Sequence, residues 1–252
     1  MPEGHTLHRL ARDQQELVGR RVAASSPQGR FAEGAARIDG RAVEQVGAVG
    51  KHLLQHFDGG LVVHTHLGMR GKALRFQPVS GEPLRQVRLR LHTGDLAWDL
   101  IAPATCELLT EGEVETLRSS LGPDPLAADS GAERAIANLR ASGRSIGEAL
   151  LDQSLIAGVG NVFRAEGLLR ARLHPATPAA EIPLDRLREL WDVLQRMMRQ
   201  AVDDAEIRPK LVYKQPVCLQ CATEPATPVL HWDLRGRTAY ACPSCQPAPA
   251  AA

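Results

Sequence analysis

Aromatic residues are scarce in this chain of 252 residues, where phenylalanine, tyrosine and tryptophan together make up 4%. Proteins that hold single-stranded nucleic acid on aromatic platforms stack successive bases on such side chains, so this composition argues against that binding mode. Long apolar runs are also missing: no segment approaches the ~20 apolar residues that a membrane-spanning helix needs. The sequence therefore predicts a protein that does not contact a membrane.

A strong net charge is absent as well, since the formal value is +1. This excludes a uniformly basic protein, and any attraction to a polyanion has to be local. One such stretch runs from Arg70 to His92, where six cations face Glu82 alone, a net charge of about +5. The six are Arg70, Lys72, Arg75, Arg85, Arg88 and Arg90. The stretch predicts a phosphate-binding surface, with a solvated sheet face as the alternative.

Cysteine is rare but ordered. Cys218 and Cys221 are separated by two residues, as are Cys242 and Cys245, and twenty residues lie between the pairs. This spacing is typical of a closed structural Zn²⁺ site, and two disulfides are the alternative. The chain shows no secretory signal and has a fifth, lone Cys106, which favours a reducing cytoplasm and zinc. Cys106 itself is predicted to be a buried small apolar residue.

The N-terminus carries a candidate nucleophile. Once Met1 is removed, Pro2 has a secondary α-amino group, which can attack a sugar carbon and form an iminium. An α-amino group titrates about two units below lysine, so part of it is unprotonated at neutral pH. The adjacent Glu3 is placed to move protons for the same chemistry. An ordinary N-terminus is the alternative interpretation.

The first half of the chain has the pattern of short strands. Thr6 to Leu17 shows helical apolar spacing, and short apolar runs then continue to about Thr110 between turns that contain Gly and Asp. Phe57 to Leu61 is a hairpin signal. One leading helix followed by many short strands predicts a sandwich or a barrel.

The second half is helical. A linker from Glu111 to Gly131 precedes a capping box of Ser145 and Glu148, which predicts a helix from Ile146 to Ile156. The turn at 157–161 then leads into a second helix that ends near Ala171. A long helix starting at Pro183 has an apolar stripe that predicts a core position.

Taken together, these features resemble the formamidopyrimidine-DNA glycosylase/endonuclease VIII family of bifunctional DNA glycosylases. The resemblance runs from Pro2 to Gln246 and rests on five motifs in family order. They are Pro2-Glu3-Gly4, Gly50-Lys51-His52-Leu53-Leu54, His66-Leu67-Gly68-Met69-Arg70-Gly71, the segment from Asp152-Gln153 through Gly158-Val159-Gly160-Asn161 to His174-Pro175, and Gly236-Arg237-Thr238 ahead of Cys242 to Gln246.

The resemblance implies an α+β fold: an N-terminal two-sheet β-sandwich with flanking helices, then a helical domain with a helix-two-turn-helix motif and a zinc-finger β-hairpin. The corresponding boundaries are 1–112 for the catalytic sandwich, 113–132 for a linker, 133–209 for the helical domain and 210–246 for the finger. Residues 247–252 form a Pro/Ala tail, predicted to be disordered. Damaged DNA is the implied partner, bound between the domains by a monomer.

The resemblance also implies site residues. Pro2 is the nucleophile, Glu3 transfers protons, Lys51 contacts the phosphate beside the lesion, and Arg237 of the finger contacts the DNA backbone. Met69 and Arg70 lie where family members fill the void left by an extruded nucleotide. Gly160 and Asn161 present phosphate donors at a helix start. Zn²⁺, held by the four paired cysteines, has a structural role.

Three departures bear on substrate choice. The Arg-Phe wedge of formamidopyrimidine-DNA glycosylases is absent after Trp98, a second glutamate near the start is replaced by Thr6, and a lysine of the turn motif is replaced by Gly147. The missing wedge favours the endonuclease VIII type, which acts on oxidised pyrimidines. A purine-specific enzyme and a non-catalytic DNA-binding relative remain as alternatives.

Overall fold

The computed structural model describes residues 2–79, 81–129, 131–221 and 225–249. The chain divides into two compact units between Ser120 and Leu121. The last three residues of the predicted tail, 250–252, lie outside the described residues, as does Met1.

Helix α1 of the first unit spans Gly4–Asp13 and continues as a short 3-10 helix, Gln14–Leu17. Its apolar positions Leu7 and Ala11 are buried, which confirms the predicted leading helix, although it begins two residues earlier. Two further helices complete the unit, α2 at Ala32–Ile38 and α3 at Glu111–Ser119.

Eight strands of the first unit form two antiparallel four-stranded sheets. One sheet has the order β1-β6-β7-β5 and the other β2-β3-β4-β8. The bounds are β1 Ala23–Ser25, β2 Val43–Val49, β3 His52–Phe57, β4 Leu61–His66, β5 Lys72–Phe76, β6 Val87–Thr93, β7 Leu96–Ile101 and β8 Thr105–Leu109. Leu53 and Val63 of one sheet share a buried core with Leu89 and Leu91 of the other. The fold is therefore a sandwich rather than a barrel.

Two hairpins of the second sheet have glycine turns. Phe57 pairs with Leu61, and Gly59 and Gly60 between them have φ of 82° and 70°, which confirms the predicted hairpin. Val49 pairs with His52 across the β2–β3 turn, where Gly50 has φ 55°. Glycine adopts such positive φ values at little cost. Lys51 follows Gly50 and lies at the tip of this turn.

The second unit is helical with one small sheet. Its helices are α4 Ala132–Ala141, α5 Ile146–Ala149, α6 Asn161–Arg170 and α7 Leu184–Asp204, with a 3-10 helix at Ala179–Glu181. Strands β9 Leu230–Leu234 and β10 Arg237–Ala241 form a hairpin. The stripe of α7, including Leu187, Trp191 and Met198, is buried in the core of this unit, as predicted. No helix in the described ranges has the length and apolarity to cross a bilayer.

One predicted helix was wrong in extent. The capping box of Ser145 and Glu148 is present, but α5 ends at Ala149 rather than Ile156. Asp152 Oδ1 accepts hydrogen bonds from the backbone N of Ser154 at 2.9 Å and from its hydroxyl at 2.6 Å. Such local side-chain bonds give the backbone an alternative to helix, so the chain turns after the first helical turn.

The predicted linker, 113–132, contains most of α3. Thr110 and Glu113 form a capping box at the start of this helix. Val114 then packs on Leu54 and Val62 of the second sheet. Residues up to Ser120 therefore belong to the compact sandwich unit.

Candidate functional site

The N-terminus of the sandwich unit buries a carboxylate. Glu3 is fully buried and occupies the N-cap position of α1. Its carbonyl accepts a hydrogen bond from Thr6 N at 2.9 Å. The positive end of a helix dipole stabilises an anion at this position. Pro2 precedes it and is half-buried, so the secondary amine predicted from the sequence adjoins a buried carboxylate in a fixed backbone conformation.

His5, in the first turn of α1, is buried as well. Burial lowers its pKa to about 4. The ring is therefore neutral at physiological pH and adds no positive charge near Pro2.

Helix α1 packs against β2 and β3, the two strands that carry the Lys51 turn. Gln15 Nε2 donates to the carbonyl of Val46 at 2.7 Å, and Gln55 Nε2 donates to Gln14 Oε1 at 2.7 Å. The helix that follows Pro2-Glu3 and the hairpin that carries Lys51 are thus fixed to each other within one unit.

The histidines of this hairpin have a carboxylate partner, Glu107. Glu107 lies opposite His64 in the β4–β8 ladder, and its Oε1 is 2.9 Å from His64 Nδ1. His64 Nε2 is 2.8 Å from His52 Nδ1. Burial lowers the pKa of His52 to about 4 and lowers that of His66. Strand pairing brings Glu107 from 43 residues away, so no local spacing signals the contact.

The turn at Met69 is tight and presents that side chain outward. Gly71 N donates to the Leu67 carbonyl at 3.0 Å, and Gly68 has φ 64°. A Cβ at Gly68 would lie 2.7 Å from Ala104 Cβ, so the turn is held against the β7–β8 connection. Met69 is 70% exposed. Arg70 beside it is exposed too.

The basic stretch is partly neutralised inside the protein. Arg75 binds both carboxylate oxygens of Glu16, Arg90 binds both of Asp99, and Arg88 donates to Gln28 Oε1 at 2.5 Å. Within the described ranges, Arg70, Lys72 and Arg85 make no ion pair. Arg88 makes no ion pair there either, because its partner Gln28 is neutral. Carboxylates of the protein therefore compensate two of the six cations, Arg75 and Arg90.

In the second unit, Gln153 shapes the glycine turn ahead of α6. Its Oε1 accepts from Gly158 N at 3.0 Å, and its Nε2 donates to the Val159 carbonyl at 3.0 Å. Gly158 has φ 86°, a conformation that favours glycine. Gly160 is the N-cap of α6, so the predicted turn leads into a helix N-terminus as expected.

Asn161 joins this turn to the finger hairpin. Its Nδ2 donates to the Thr238 carbonyl at 3.1 Å, and the fully buried Arg164 donates to the same carbonyl at 2.6 Å. Asn161 Oδ1 is buried and has no hydrogen-bond partner within the described part of the chain. Thr238 follows the exposed Arg237, so the structure brings the predicted residues Asn161 and Arg237 to one place.

The finger hairpin also packs on α5, which accounts for one departure from the family pattern. A Cβ at Gly147 would lie 2.7 Å from the Pro175 carbonyl oxygen and 2.9 Å from Leu234 Cδ2. A lysine therefore does not fit there. Next to it, Arg235 in the β9–β10 turn forms an ion pair with Glu148 of the capping box.

The four paired cysteines converge. The Sγ atoms of Cys218, Cys221, Cys242 and Cys245 all lie within 4.8 Å of one another. Those of Cys221 and Cys242 are 3.6 Å apart, close to the ~3.8 Å expected between thiolates of a tetrahedral zinc site. No disulfide is formed, which removes that alternative. Burial raises the pKa of Cys245 to about 12. A bound metal ion would favour the thiolate form of this ligand.

Cys106, the fifth cysteine, packs against the sandwich core and is half-buried. Burial raises its pKa to about 12, so its thiol stays protonated. It behaves as a small apolar residue.

Sequence reasoning missed several buried polar side chains that hold the finger. Glu166 is fully buried and accepts hydrogen bonds at 2.9 Å from the backbone N of Leu211, Val212 and Tyr213. Gln246 Nε2 donates to the Leu173 carbonyl at 2.7 Å. The available signal was the pair of charged residues Arg164 and Glu166 within an otherwise apolar stretch of α6.

Comparison with known proteins identifies the class. The formamidopyrimidine-DNA glycosylase N-terminal domain model matches residues 1–100, and the model of the H2TH domain of the same glycosylase matches residues 121–210. The chain therefore belongs to the formamidopyrimidine-DNA glycosylase/endonuclease VIII family, as its motifs predicted, and is a DNA glycosylase/AP lyase by class.

Among its relatives, endonuclease 8 1 of Mycobacterium tuberculosis is 39% identical, and the alignment covers 98% of this chain and all of that protein. A probable endonuclease 8 2 of Streptomyces coelicolor is 35% identical, with 99% of this chain and 95% of that protein covered. The formamidopyrimidine-DNA glycosylase of Solibacter usitatus is 30% identical, with 98% and 99% covered.

The fold is also that of a solved structure. The complex of Lactococcus lactis formamidopyrimidine-DNA glycosylase with DNA containing an abasic site superposes with a TM-score of 0.83 at 21% identity. It covers 98% of this chain and all of that one.

Proposed function

We propose that the protein removes oxidised pyrimidines from DNA through a Schiff base on Pro2 and then cleaves the strand by β- and δ-elimination. The buried Glu3 at the N-cap of α1, directly after Pro2, is the observation that carries this proposal. A carboxylate is almost never fully buried unless it is paired. Here it lies beside the only secondary amine in the chain.

The proposed reaction forms and breaks bonds in the following order. The Pro2 nitrogen attacks C1′, the glycosidic bond breaks, and the base leaves with that electron pair and a proton. Ring opening gives an iminium, whose C2′ then loses a proton as the 3′ phosphate leaves. In a second elimination C4′ loses a proton and the 5′ phosphate leaves. Water then hydrolyses the iminium, which frees Pro2 and the sugar fragment and leaves a one-nucleotide gap. Glu3 supplies and accepts protons at the sugar.

Two turns of the sandwich unit assist. Lys51, at the glycine-bounded tip of the β2–β3 hairpin, contacts the phosphate beside the damaged nucleotide. Met69 and Arg70 enter the stack where the base has been extruded, since the empty position costs a few kcal/mol. The exposure of Met69 supports this role.

The second unit binds the DNA backbone. The start of α6, with Gly160 and Asn161, donates to one phosphate, and Arg237 to another. The four-cysteine cluster holds Zn²⁺, whose closed shell leaves no position for water. The metal therefore stabilises the hairpin and takes no part in the reaction. In this proposal the enzyme works as a cytoplasmic monomer.

The preference for pyrimidines rests on a missing insertion. Only residues 102–104 connect β7 to β8, where formamidopyrimidine-DNA glycosylases have an Arg-Phe wedge. Ala104 also packs against Gly68 of the Met69 turn. The short connection has no side chain to replace the wedge.

A panel of duplexes, each bearing one lesion, tests the proposal in the presence of borohydride. We expect thymine glycol and dihydrouracil to be excised faster than 8-oxoguanine opposite cytosine. The trapped peptide should begin at Pro2. A reversed lesion order at equal enzyme concentration would assign the protein to the purine branch, and an adduct on an internal lysine would contradict the nucleophile.

A further inference from the structure

A line of three hydrogen-bonded side chains crosses the second sheet on the face turned away from the sandwich core. Leu53 and Val63 point into that core. The alternate residues His52, His64 and Glu107 therefore lie on the other face. Part of that face is covered by α3, where Leu54 and Val62 pack with Val114. We name Glu107, His64 and His52 the histidine chain.

The direction of the hydrogen bonds in the histidine chain follows from valence. A carboxylate only accepts, so His64 Nδ1, at 2.9 Å from Glu107 Oε1, carries a proton. When the His64 ring carries only this one proton, its Nε2 is unprotonated. His52 Nδ1, at 2.8 Å from that atom, must be the donor. His52 Nε2 is left as an acceptor, so one carboxylate sets the tautomer of both rings.

His66 lies next to His52, at the end of the histidine chain opposite Glu107. His66 Nδ1 accepts from Gly68 N at 3.1 Å, which places its proton on Nε2. The His66 ring centroid lies 5.2 Å from that of His52. A donor ring and an acceptor ring therefore lie side by side between the Lys51 turn and the Met69 turn.

Few other charges act on His52. Burial is the main cause of its lowered pKa, and the neighbouring His64, His66 and Lys51 lower it further. From β2, the residue opposite it is the apolar Val49. Helix α3 presents Glu111, but that carboxylate is 2.9 Å from His56 Nδ1, at the other end of β3.

We propose that Glu107 and His64 are positioning residues for the hairpin tip: they hold His52 as a neutral ring protonated on Nδ1, so that an acceptor nitrogen adjoins Lys51. The histidine chain acts through Lys51, so this proposal rests on the proposed function of that lysine. Lys51 stays the charged donor of the tip, and the neutral ring beside it adds no competing cation. Without the carboxylate, the tautomers of both rings are no longer fixed.

Nitrogen NMR of histidine-labelled protein tests the tautomers without any enzymatic assay. At pH 7 we expect His52 and His64 protonated on Nδ1 and His66 on Nε2. In Glu107→Gln, whose amide both donates and accepts, His52 should lose its single tautomer, and Glu107→Asp should restore it. The proposal is overturned if His52 of the wild type carries its proton on Nε2, or if Glu107→Gln leaves the tautomer unchanged.

Single-turnover cleavage of abasic-site DNA tests the link to Lys51. Glu107→Gln should slow cleavage roughly tenfold. It should have no further effect in a Lys51→Ala background, because the two changes act through one group. Glu111→Gln removes the matching carboxylate from His56 and is the control, expected to cleave normally. Additive losses would overturn the role toward Lys51. If Pro2→Gly cleaves as fast as the wild type, the proposed function fails instead, while the NMR result still decides the tautomers.

Discussion

The two units hold their site residues by different means. In the sandwich unit, Lys51 and Met69 lie in turns whose geometry is set by glycines and by the ladder of neighbouring strands. In the second unit, the hairpin that carries Arg237 is fixed by buried polar side chains of α6 and by four cysteines. Under the proposed function, the first unit would place chemistry at fixed turns, whereas the second would hold a contact to the DNA backbone that depends on the four-cysteine cluster.

The largest expected effect belongs to the first unit alone. Pro2→Gly replaces a secondary amine by a primary one that is freer to move, and we expect strand cleavage to fall by roughly a thousandfold or more, as removal of a covalent nucleophile does. Affinity for abasic-site DNA, measured by fluorescence anisotropy, should change little. Unchanged cleavage and trapping would exclude Pro2 as the nucleophile.

Loss of the metal site should instead weaken DNA binding. Cys242→Ser opens the shell of the cluster, so the hairpin around Arg237 loses its geometry. We expect affinity for abasic-site DNA to drop roughly a hundredfold and metal analysis to show less than one zinc per chain. Cys106→Ser is the matched control, because that thiol lies outside the cluster. Normal binding with loss of only the chemical step would contradict this division of roles.

A smaller effect is expected from one phosphate contact. A charge-assisted hydrogen bond from Arg237 contributes roughly 1.5 to 3 kcal/mol, about ten- to a hundredfold in affinity. Arg237→Ala should also reduce the salt slope of binding by about one. Arg235→Ala provides the control in the same turn, since that guanidinium pairs with Glu148 inside the protein. Equal losses in both variants would show that the turn, rather than Arg237 itself, determines affinity.

The last expected effect concerns stability at acid pH and leaves DNA binding at neutral pH unchanged. The pKa of His5 is lowered by burial from 6.5 to about 4, so below pH 6.5 the unfolded chain binds a proton that the folded chain does not. Stability is therefore lost as the pH falls from 6.5 toward 4. For this ring alone the loss between pH 7 and pH 5 is about 2 kcal/mol. Urea unfolding of wild type and His5→Gln at both pH values measures it. An equal loss in the variant would exclude His5 as the cause.

Local patterns predicted much of this molecule. The capping box at Ser145, the hairpin at Gly59 and Gly60, the stripe of α7 and the cysteine pairs each depend on residues a few positions apart, and all four are present. The extent of α5 was not predicted, because the side chain of Asp152 competes with the helix for its backbone. The free positive charge of the basic stretch was overestimated. Arg75 pairs with Glu16, which lies 59 residues away along the chain. Arg90 pairs with Asp99, which lies opposite it on the neighbouring strand.

By itself the sequence determined the family, the candidate nucleophile and the candidate metal ligands, because these are matters of residue type and spacing along the chain. Only the tertiary structure decided which charges are left for DNA, where Glu107 meets His64, and why Gly147 cannot be a lysine. The physical reason is that hydrogen bonds, ion pairs and steric contacts depend on distances of a few ångströms between residues that strand pairing and helix packing bring together from distant parts of the chain.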